Sequence, residues 1–259
     1  MSVWFVVPSK RPVVEAQACL KAWWERGYRV AVAREFNDDV IDLRYQHVFV
    51  SEYQGWARST NLLIQTVMAG FKDAQWFIAG GDDYWPDLNH TADEIAAECK
   101  EYFAGRGPAT QVDKETVSMS VAQFEASRTF GVMQPTGDRW GDHGEGNGAV
   151  IDRIAGSPWM GREFCRRMYH GSGPLYNGYY HNFADEELQN VAQKLGVFWQ
   201  RRDLIHEHRH WARPRGDVRD MPEWAAKIND PAQSDWDKSK ALFAARKAAG
   251  FPGHEPLEL

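Results

Sequence analysis

Cysteine is scarce in this 259-residue chain, and its three cysteines, Cys19, Cys99 and Cys165, are odd in number and widely spaced. A disulfide framework needs paired cysteines in an oxidising compartment, so this spacing indicates free buried thiols and a reducing environment. Long apolar runs are also absent. No stretch approaches the ~20 residues that cross a bilayer, and the opening apolar segment is too short for a signal peptide. We therefore expect a soluble, cytoplasmic protein without a membrane span.

The chain also lacks an excess of positive charge. Thirty Lys and Arg stand against 36 Asp and Glu, a formal net charge of -6, which argues against a general nucleic-acid coat. Residues 151–220 differ, with eleven basic and nine acidic side chains. This local arginine content fits either a phosphate-bearing ligand or an ordinary solvated surface. Internal repeats, low-complexity tracts and linkers are missing, which favours a single domain.

Hydrophobic residues make up 43% of the chain, enough for a packed core, and short apolar segments alternate with helical periodicity over the first 100 residues. Buried strands are predicted at residues 3–7, 28–33, 48–50 and 75–79, and helices at 13–26 and 59–71. This alternation is typical of βαβ units and predicts a mostly parallel, buried sheet flanked by helices. Further along, the sequence predicts a strand at 130–133, a glycine-rich loop at 136–148, and helices at 161–168, 185–195 and 234–250.

An acidic turn follows the fourth predicted strand. Asp82 and Asp83 come directly after two glycines, where the apolar segment ends. Ligands of open parallel sheets bind beyond the carboxyl ends of the strands, and adjacent carboxylates repel each other unless a cation or a donor compensates them. A divalent ion that bridges these carboxylates to a diphosphate would supply this compensation. A polar turn that caps the next segment is the alternative.

A second acidic cluster, Asp185-Glu186-Glu187, opens an amphipathic segment. Carboxylates in a first helical turn are favoured by the helix dipole, which is reason enough for their presence. A carboxylate at such a position can also act as a general base. Composition alone favours the first of these two roles.

A histidine-rich segment follows at residues 206–210. It matches the H-E-x-x-H pattern of zinc proteases, but His208 and Arg209 inside it and the nearby Pro214 oppose the helix that this motif requires. In an extended segment, alternate residues share one face, which would place His206, His208 and His210 together. Each of them is a candidate metal ligand or a structural histidine.

Several segments, taken together, resemble nucleotide-sugar glycosyltransferases of the GT-A fold. They occur in that family's order and span about residues 3–211; the segments are 6–12, 55–61, 81–83, 180–188 and 206–211. Segment 6–12 resembles the family's opening strand and its turn, and segment 55–61 resembles the turn into the second helix. Segment 81–83 resembles the DxD-like metal motif, and segment 180–188 resembles the acidic helix start of inverting members. Segment 206–211 resembles a late histidine that some members add to the metal. Gly81 stands where the family's motif has its first Asp, so the carboxylate that binds metal directly stays open.

The resemblance implies a GT-A-type α/β fold within one domain, residues 1–259. A Rossmann-like nucleotide-binding half would cover about residues 1–100. An acceptor half would cover about 101–215, and a helical C-terminal extension about 216–259. The compact chain is also similar to phage-type enzymes that glycosylate modified bases.

The resemblance further implies an inverting enzyme that transfers a sugar from a nucleotide sugar, a UDP-sugar being favoured, to a hydroxyl of a saccharide, a small molecule or a hydroxylated base in DNA. Mn2+ or Mg2+ is the implied cofactor, and its candidate ligands are Asp83, Asp82, His208 and His206. By the same analogy Asp185 is the general base, with Glu186 as its close rival. Candidate donor contacts are Pro8, Arg11, Asp38, Asp39, Arg58, Asp82 and Asp83, and candidate acceptor contacts are Trp159, Arg162 and Tyr180.

Three alternatives stay open on the sequence, as does the oligomeric state. A sugar-phosphate nucleotidyltransferase would use the same strand-end acids, but Ser9-Lys10-Arg11 stands where a glycine-rich phosphate loop would be expected. A non-catalytic carbohydrate-binding protein would keep the fold without needing Asp83 or Asp185. A zinc hydrolase would need tightly bound zinc.

Overall fold

A computed structural model describes residues 1–36, 47–107, 119–138, 156–209 and 235–258. Within these residues the strands are β1 (Ser2–Pro8), β2 (Arg29–Arg34), β3 (His47–Val50), β4 (Ala74–Ala79), β5 (Tyr84–Trp85), β6 (Val132–Pro135), β7 (Trp159–Gly161), β8 (Phe198–Arg201) and β9 (Glu207–His208). The helices are α1 (Val13–Glu25), α2 (Trp56–Gly70), α3 (Ala92–Phe103), α4 (Val121–Ser127), α5 (Arg162–Arg167), α6 (Ala184–Lys194) and α7 (Trp236–Ala248).

The central sheet joins seven of these strands in the order β3-β2-β1-β4-β7-β6-β8. Parallel ladders join β3 to β2, β2 to β1, β1 to β4 and β6 to β8. Strand β7 runs antiparallel to both of its neighbours, β4 and β6. Helices α1, α2 and α3 pack against β1 and β2. The α/β class and the mostly parallel sheet flanked by helices, both predicted from the alternation, are confirmed.

The core is centred on β1 and β4, which read as nearly continuous apolar runs because both faces of the sheet are covered. Aromatic side chains fill much of the space between the sheet and α1. The ring of Trp23 stacks on that of Phe5, with 4.2 Å between centroids, and meets Tyr28 edge-on at 4.8 Å. Such ring pairs add to the stabilisation from burial alone.

Two expectations from composition can be compared with the structure. All three cysteines are buried and unpaired, which confirms the prediction of free thiols. Burial raises the pKa of each of these thiols, because the interior disfavours the charged thiolate. None of the described helices is long and apolar enough to cross a bilayer.

The predicted helices and strands agree with the structure to within a few residues at each end. Most of the elements that were not predicted are short. Strands β5, β7, β8 and β9 have only two to four residues, too few for a periodicity to be recognised. Helix α3 was missed despite a capping box between Thr91 and Glu94 that marks its start. The predicted glycine-rich loop lies outside the described residues from position 139 onward.

The order of the strands creates a switch point at β1. The chain leaves β1 for β2 and β3 on one side, and returns to form β4 on the other side. In open α/β sheets, ligands bind in the crevice beyond the carboxyl ends of the strands at such a point. The segments that emerge there are 9–11 after β1 and 80–83 after β4.

Candidate functional site

A cleft of about 950 Å3 opens at the carboxyl ends of β1 and β4. Its walls come from the loop after β1, the acidic turn after β4, the segment that leads into α6, and one face of α7. It is lined by these predicted site residues: Pro8, Arg11, Asp82, Asp83, Tyr180, Asp185, Glu186 and His208. The fold thus collects residues from opposite ends of the sequence at the switch point.

Asp82 connects the acidic turn to the loop after β1. Its Oδ1 accepts a hydrogen bond from Nε of Arg11 at 2.8 Å, and its Oδ2 accepts one from the hydroxyl of Ser9. The loop is held from behind by the buried Arg34, whose Nη1 donates to the carbonyl oxygens of Ser9 and Arg11 at 3.1 and 2.8 Å. Arg11 therefore compensates the charge of Asp82, and the ends of β1, β2 and β4 are tied together.

Asp83 faces a histidine that is distant from it in sequence. Its Oδ1 lies 3.4 Å from Nε2 of His208. The imidazole is stacked on the ring of Tyr84, with 3.9 Å between centroids and 17° between planes. Strands β5 and β9 pair so that Tyr84 lies opposite His208, and the N–H of Arg209 donates to the carbonyl oxygen of Asp83 at 2.8 Å. Backbone pairing and ring stacking thus fix the position of the imidazole.

This pair fits a divalent cation that is also bound by a ligand's oxygens. Neighbouring ligands of an octahedral Mg2+ lie about 3 Å apart, so the carboxylate oxygen of Asp83 and the Nε2 of His208 are close to the required spacing. Asp82 stands behind them with both oxygens engaged. Among the residues that the structure describes, no group of three or more His, Cys, Asp or Glu is arranged to hold a metal by itself. The phosphates of a ligand would have to complete the coordination, as is usual for Mg2+ at phosphate sites.

Asp185 is a titratable carboxyl that lines the cleft. It lies in the first turn of α6, deep in the cleft but partly open to it, after Phe183 with a left-handed backbone (φ 72°). Burial raises the pKa of the Asp185 carboxyl to about 6, and a hydrogen bond from the N–H of Glu186, 2.9 Å long, works in the opposite direction. A carboxylate with this pKa is ionised near neutral pH and is a stronger base than an ordinary Asp. Glu186, only 9% exposed, also lines the cleft.

Glu187, the third residue of the acidic cluster, has a structural role. It is fully buried, and its carboxylate accepts hydrogen bonds from the hydroxyls of Tyr169 and Tyr179, both 2.8 Å long. It also accepts two from Arg246 of α7, with Nε and Nη2 at 2.8 and 2.7 Å. This network anchors the start of α6 to the C-terminal helix. Within the acidic cluster, Glu187 therefore has a structural role, one of the two that the sequence left open.

The structure separates the two histidines that the sequence ranked together. His206 is buried outside the cleft, with its Nδ1 3.1 Å from the hydroxyl of Ser157 and its Nε2 3.4 Å from Nε1 of Trp159. Burial lowers the pKa of His206 to about 3, so it is neutral. His206 is therefore a core histidine, and His208 is the ligand candidate of the pair.

Three other predicted contacts lie outside the cleft. Trp159 is fully buried in β7 and is part of the core. Arg162 donates to the carbonyl oxygen of Ala74 at 2.8 Å and ties α5 to the edge of β4. Arg58 donates to the carbonyl oxygen of Asn177 at 2.8 Å on the surface. These three side chains make structural contacts and are not among the residues that line the cleft, and their expected acceptor and donor roles stay predictions.

Several predicted features fall partly or wholly outside the described residues. Asp38 and Asp39, the candidate contacts to the base of the donor, are among them, and so is His210. The described part of the histidine segment forms the short strand β9, which agrees with the extended alternative and not with the helix of zinc proteases.

The cleft is also lined by residues that were not predicted from the sequence: Ser9, Arg34, Tyr84, Trp236 and Lys240. Ser9 and Tyr84 are neighbours in sequence of residues that were selected, so proximity to the motifs could have found them. Trp236 and Lys240 are four residues apart on α7 and share a helix face. No signal in the sequence shows that this face lies against the cleft.

The cleft combines two chemical capabilities at the carboxyl ends of β1 and β4. Asp83 and His208 can bind a cation that stabilises an anionic leaving group, and Asp185 can take a proton from a hydroxyl. Comparison of the chain with models of protein families and with curated proteins gives no match. Function must therefore be inferred from the geometry of the cleft.

Proposed function

We propose that the protein is a metal-dependent glycosyltransferase of the GT-A type. It transfers a sugar from a nucleotide sugar, with a UDP-sugar as the favoured donor, to an acceptor hydroxyl, with inversion at the anomeric carbon. One observation carries the proposal: the Asp83–His208 pair and the carboxylate of Asp185 line the same cleft at the switch point of the sheet. The volume of about 950 Å3 is at the upper end of small-molecule sites and leaves room for a donor and an acceptor.

The donor is expected along the ends of β1 and β4. Pro8 and Arg11 would border the nucleoside, and the diphosphate would lie at Asp83 and His208, which would hold Mn2+ or Mg2+. When bound, the ion would stabilise the negative charge that develops on the departing diphosphate. Arg11 adds a fixed positive charge, since its guanidinium lies 2.8 Å from Asp82 and 3.6 Å from Asp83.

Asp185 is proposed to activate the acceptor. Its carboxylate takes the proton of the acceptor hydroxyl as the oxygen forms a bond to the anomeric carbon. The bond between that carbon and the diphosphate oxygen breaks on the opposite side, and its electron pair leaves with the nucleoside diphosphate. Attack from the opposite face inverts the configuration. Glu186 supplies its N–H to the Asp185 carboxylate, which makes it a positioning residue in this scheme.

The proposal is tested by measuring nucleoside diphosphate released from a panel of nucleotide sugars, with Mn2+ and a panel of hydroxyl acceptors. We expect one nucleoside diphosphate to be released together with a glycosylated product. Asp185→Asn should lower turnover by about 10²–10⁴-fold, and the exposed Asp93→Asn on α3 is the matched control that should not. Release of pyrophosphate from a nucleoside triphosphate and a sugar phosphate, without any transfer from nucleotide sugars, would overturn it.

A further inference from the structure

Two large aromatic rings stay exposed at the mouth of the cleft. Tyr180 is 53% exposed and Trp236 is 51% exposed, and both line the cavity. Each ring is supported by another: Tyr53 meets Tyr180 edge-on at 5.9 Å, and Phe183 packs on Trp236 at 5.0 Å. Exposed aromatic surface beside a polar cleft is typical of a binding site.

The backbone that carries these rings is held in place. Gly55 has a φ of 92°, and a Cβ at this position would lie 2.5 Å from the carbonyl oxygen of Tyr180, so the two segments are in close contact. On the other side, the carboxylate of Asp235 accepts hydrogen bonds from the N–H of His181 and from Nδ2 of Asn182, 3.2 and 3.1 Å long. The backbone that carries the exposed rings is therefore held by contacts within the protein itself.

The charged residues that line the described part of the cleft do not suit a polyanion. Its basic residues are Lys10, Arg11, Arg34 and Lys240, and its acidic residues are Glu35, Asp82, Asp83, Asp185 and Glu186. Lys10 is paired with Glu35, and Arg11 with Asp82. Binding of DNA depends on a row of Lys and Arg that neutralises successive phosphates, and the described part of the cleft has none. An uncharged ligand with a flat face fits this mouth better.

We propose that Tyr180 and Trp236 form the acceptor subsite and that they bind the sugar ring of a neutral glycoside. One face of a pyranose presents C–H groups, which pack against the electron-rich face of an aromatic ring. Tyr180 and Asp185 line the same cleft, so a ring seated on Tyr180 can direct a hydroxyl towards that carboxylate. Lys240, one turn after Trp236 on α7, can donate to the ring hydroxyls. That the bound glycoside is the acceptor of the transfer rests on the proposed function, whereas the binding of its sugar ring to Tyr180 and Trp236 does not.

Saturation-transfer NMR with methyl glycosides of glucose, galactose and mannose, and with maltose and cellobiose, tests the subsite. Spectra would be recorded on the full chain with and without UDP and Mg2+, because Mn2+ is paramagnetic and broadens the proton signals. We expect transfer to the C–H protons of one ring face, and about tenfold or greater weakening in Trp236→Ala and Tyr180→Ala. Trp24→Ala is the matched control, since Trp24 is 45% exposed on α1 and is not part of the cleft lining.

The affinity for UDP with Mn2+, measured by calorimetry on the same variants, separates this proposal from the proposed function. Nucleotide binding without glycoside binding, or equal glycoside binding in Trp236→Ala, would overturn the subsite and leave the donor site intact. Glycoside binding that Trp236→Ala abolishes, in a protein that binds no nucleotide, would support the subsite and overturn the transferase. Binding of an oligonucleotide with a hydroxymethylated base, with no glycoside bound, would also overturn the subsite.

Discussion

The Oδ1 of Asp83 lies 3.4 Å from Nε2 of His208, although the two residues are far apart in sequence. Two very short strands maintain this distance, because Tyr84 pairs with His208 and the N–H of Arg209 donates to the carbonyl oxygen of Asp83. These backbone contacts do not depend on the carboxylate or the imidazole. Replacing either side chain should therefore change the chemistry of the site and leave the segment in place.

The two neighbouring carboxylates should respond differently to substitution. Asp83→Asn should abolish Mn2+-dependent nucleotide binding, because Asp83 faces His208 and the cleft. Asp82→Asn should weaken it by about 10–100-fold, the usual effect of losing a residue that supports a ligand, since Asp82 is bound to Ser9 and Arg11. Calorimetric titration of UDP with Mn2+ measures both. Unchanged Mn2+-dependent affinity in Asp83→Asn would contradict the metal assignment.

The two histidines provide a second comparison. His208→Gln should greatly weaken the nucleotide affinity measured with Mn2+, and its affinity in EDTA should match that of the wild type. His206→Gln should lower the midpoint of thermal unfolding, because it disturbs buried contacts to Ser157 and Trp159, and should keep the Mn2+-dependent affinity. Titrations below the unfolding temperature of both variants make this comparison. The opposite pattern would show that the ligand has been assigned to the wrong histidine.

Turnover should depend on pH through Asp185. The base is active only when ionised, so kcat should fall as pH drops through about 6, the raised pKa of this carboxyl. Asp185→Asn should lose turnover and retain nucleotide affinity. A pH–rate profile with saturating donor tests this expectation. A profile that stays flat from pH 8 to 5 would reject Asp185 as the base.

The raised pKa of Asp185 also affects stability, because the ionised carboxylate that acts as the base destabilises the folded state. The carboxyl of Asp185 titrates at about 6 in the folded protein against 3.8 normally, so the folded state binds the extra proton between these values. Ionised Asp185 therefore lowers the free energy of unfolding at pH 7, and this penalty disappears as pH falls towards 4. We expect Asp185→Asn to be more stable than the wild type by about 1–3 kcal/mol at pH 7.5, with no gain at pH 4. Urea unfolding at the two pH values measures the difference.

The buried ion pair between Glu187 and Arg246 should be important for stability. Arg246→Met would leave Glu187 charged, buried and without its guanidinium, which costs about 3–5 kcal/mol. Arg166→Met is the matched control, because Arg166 forms a surface pair with Glu163 and its side chain is 46% exposed. Such a pair contributes about 0–1 kcal/mol. Urea unfolding that gives similar values for both variants would contradict an anchoring role for Glu187.

The sheet and the acidic turn could be predicted because their signals are local. Continuous apolar runs identify strands buried on both faces, and the carboxyl ends of parallel strands meet at one edge, which places Asp82 and Asp83 there. Asp185 could be predicted as a helix-start carboxylate. The structural role of its neighbour Glu187 could not be predicted, because that role depends on Arg246, which only the tertiary structure brings close.

The errors have physical causes that are not encoded locally. A period of two predicts that His206 and His208 share one face of an extended segment. Only His208 lies in β9, which pairs with β5, whereas His206 precedes that strand and is buried in the core. Trp159 and Trp236 are the same residue type, yet one is fully buried and the other is half exposed. Trp159 lies in β7, between β4 and β6, whereas Trp236 lies at the start of α7 against Phe183. Both positions are set by tertiary packing, which the local sequence does not contain.

Thermal unfolding with nucleoside diphosphates and their sugars, each with Mn2+ and with EDTA, tests the donor site most directly. A ligand at ~100 times its dissociation constant adds roughly 2.7 kcal/mol to the free energy of unfolding. Each 1 kcal/mol raises the midpoint by roughly 2–4 °C for a chain of this size. We predict a clear rise for one nucleoside diphosphate and its sugars, lost with EDTA and in Asp83→Asn. No rise with any of these ligands, or one that is the same in EDTA, would contradict the metal-dependent donor site.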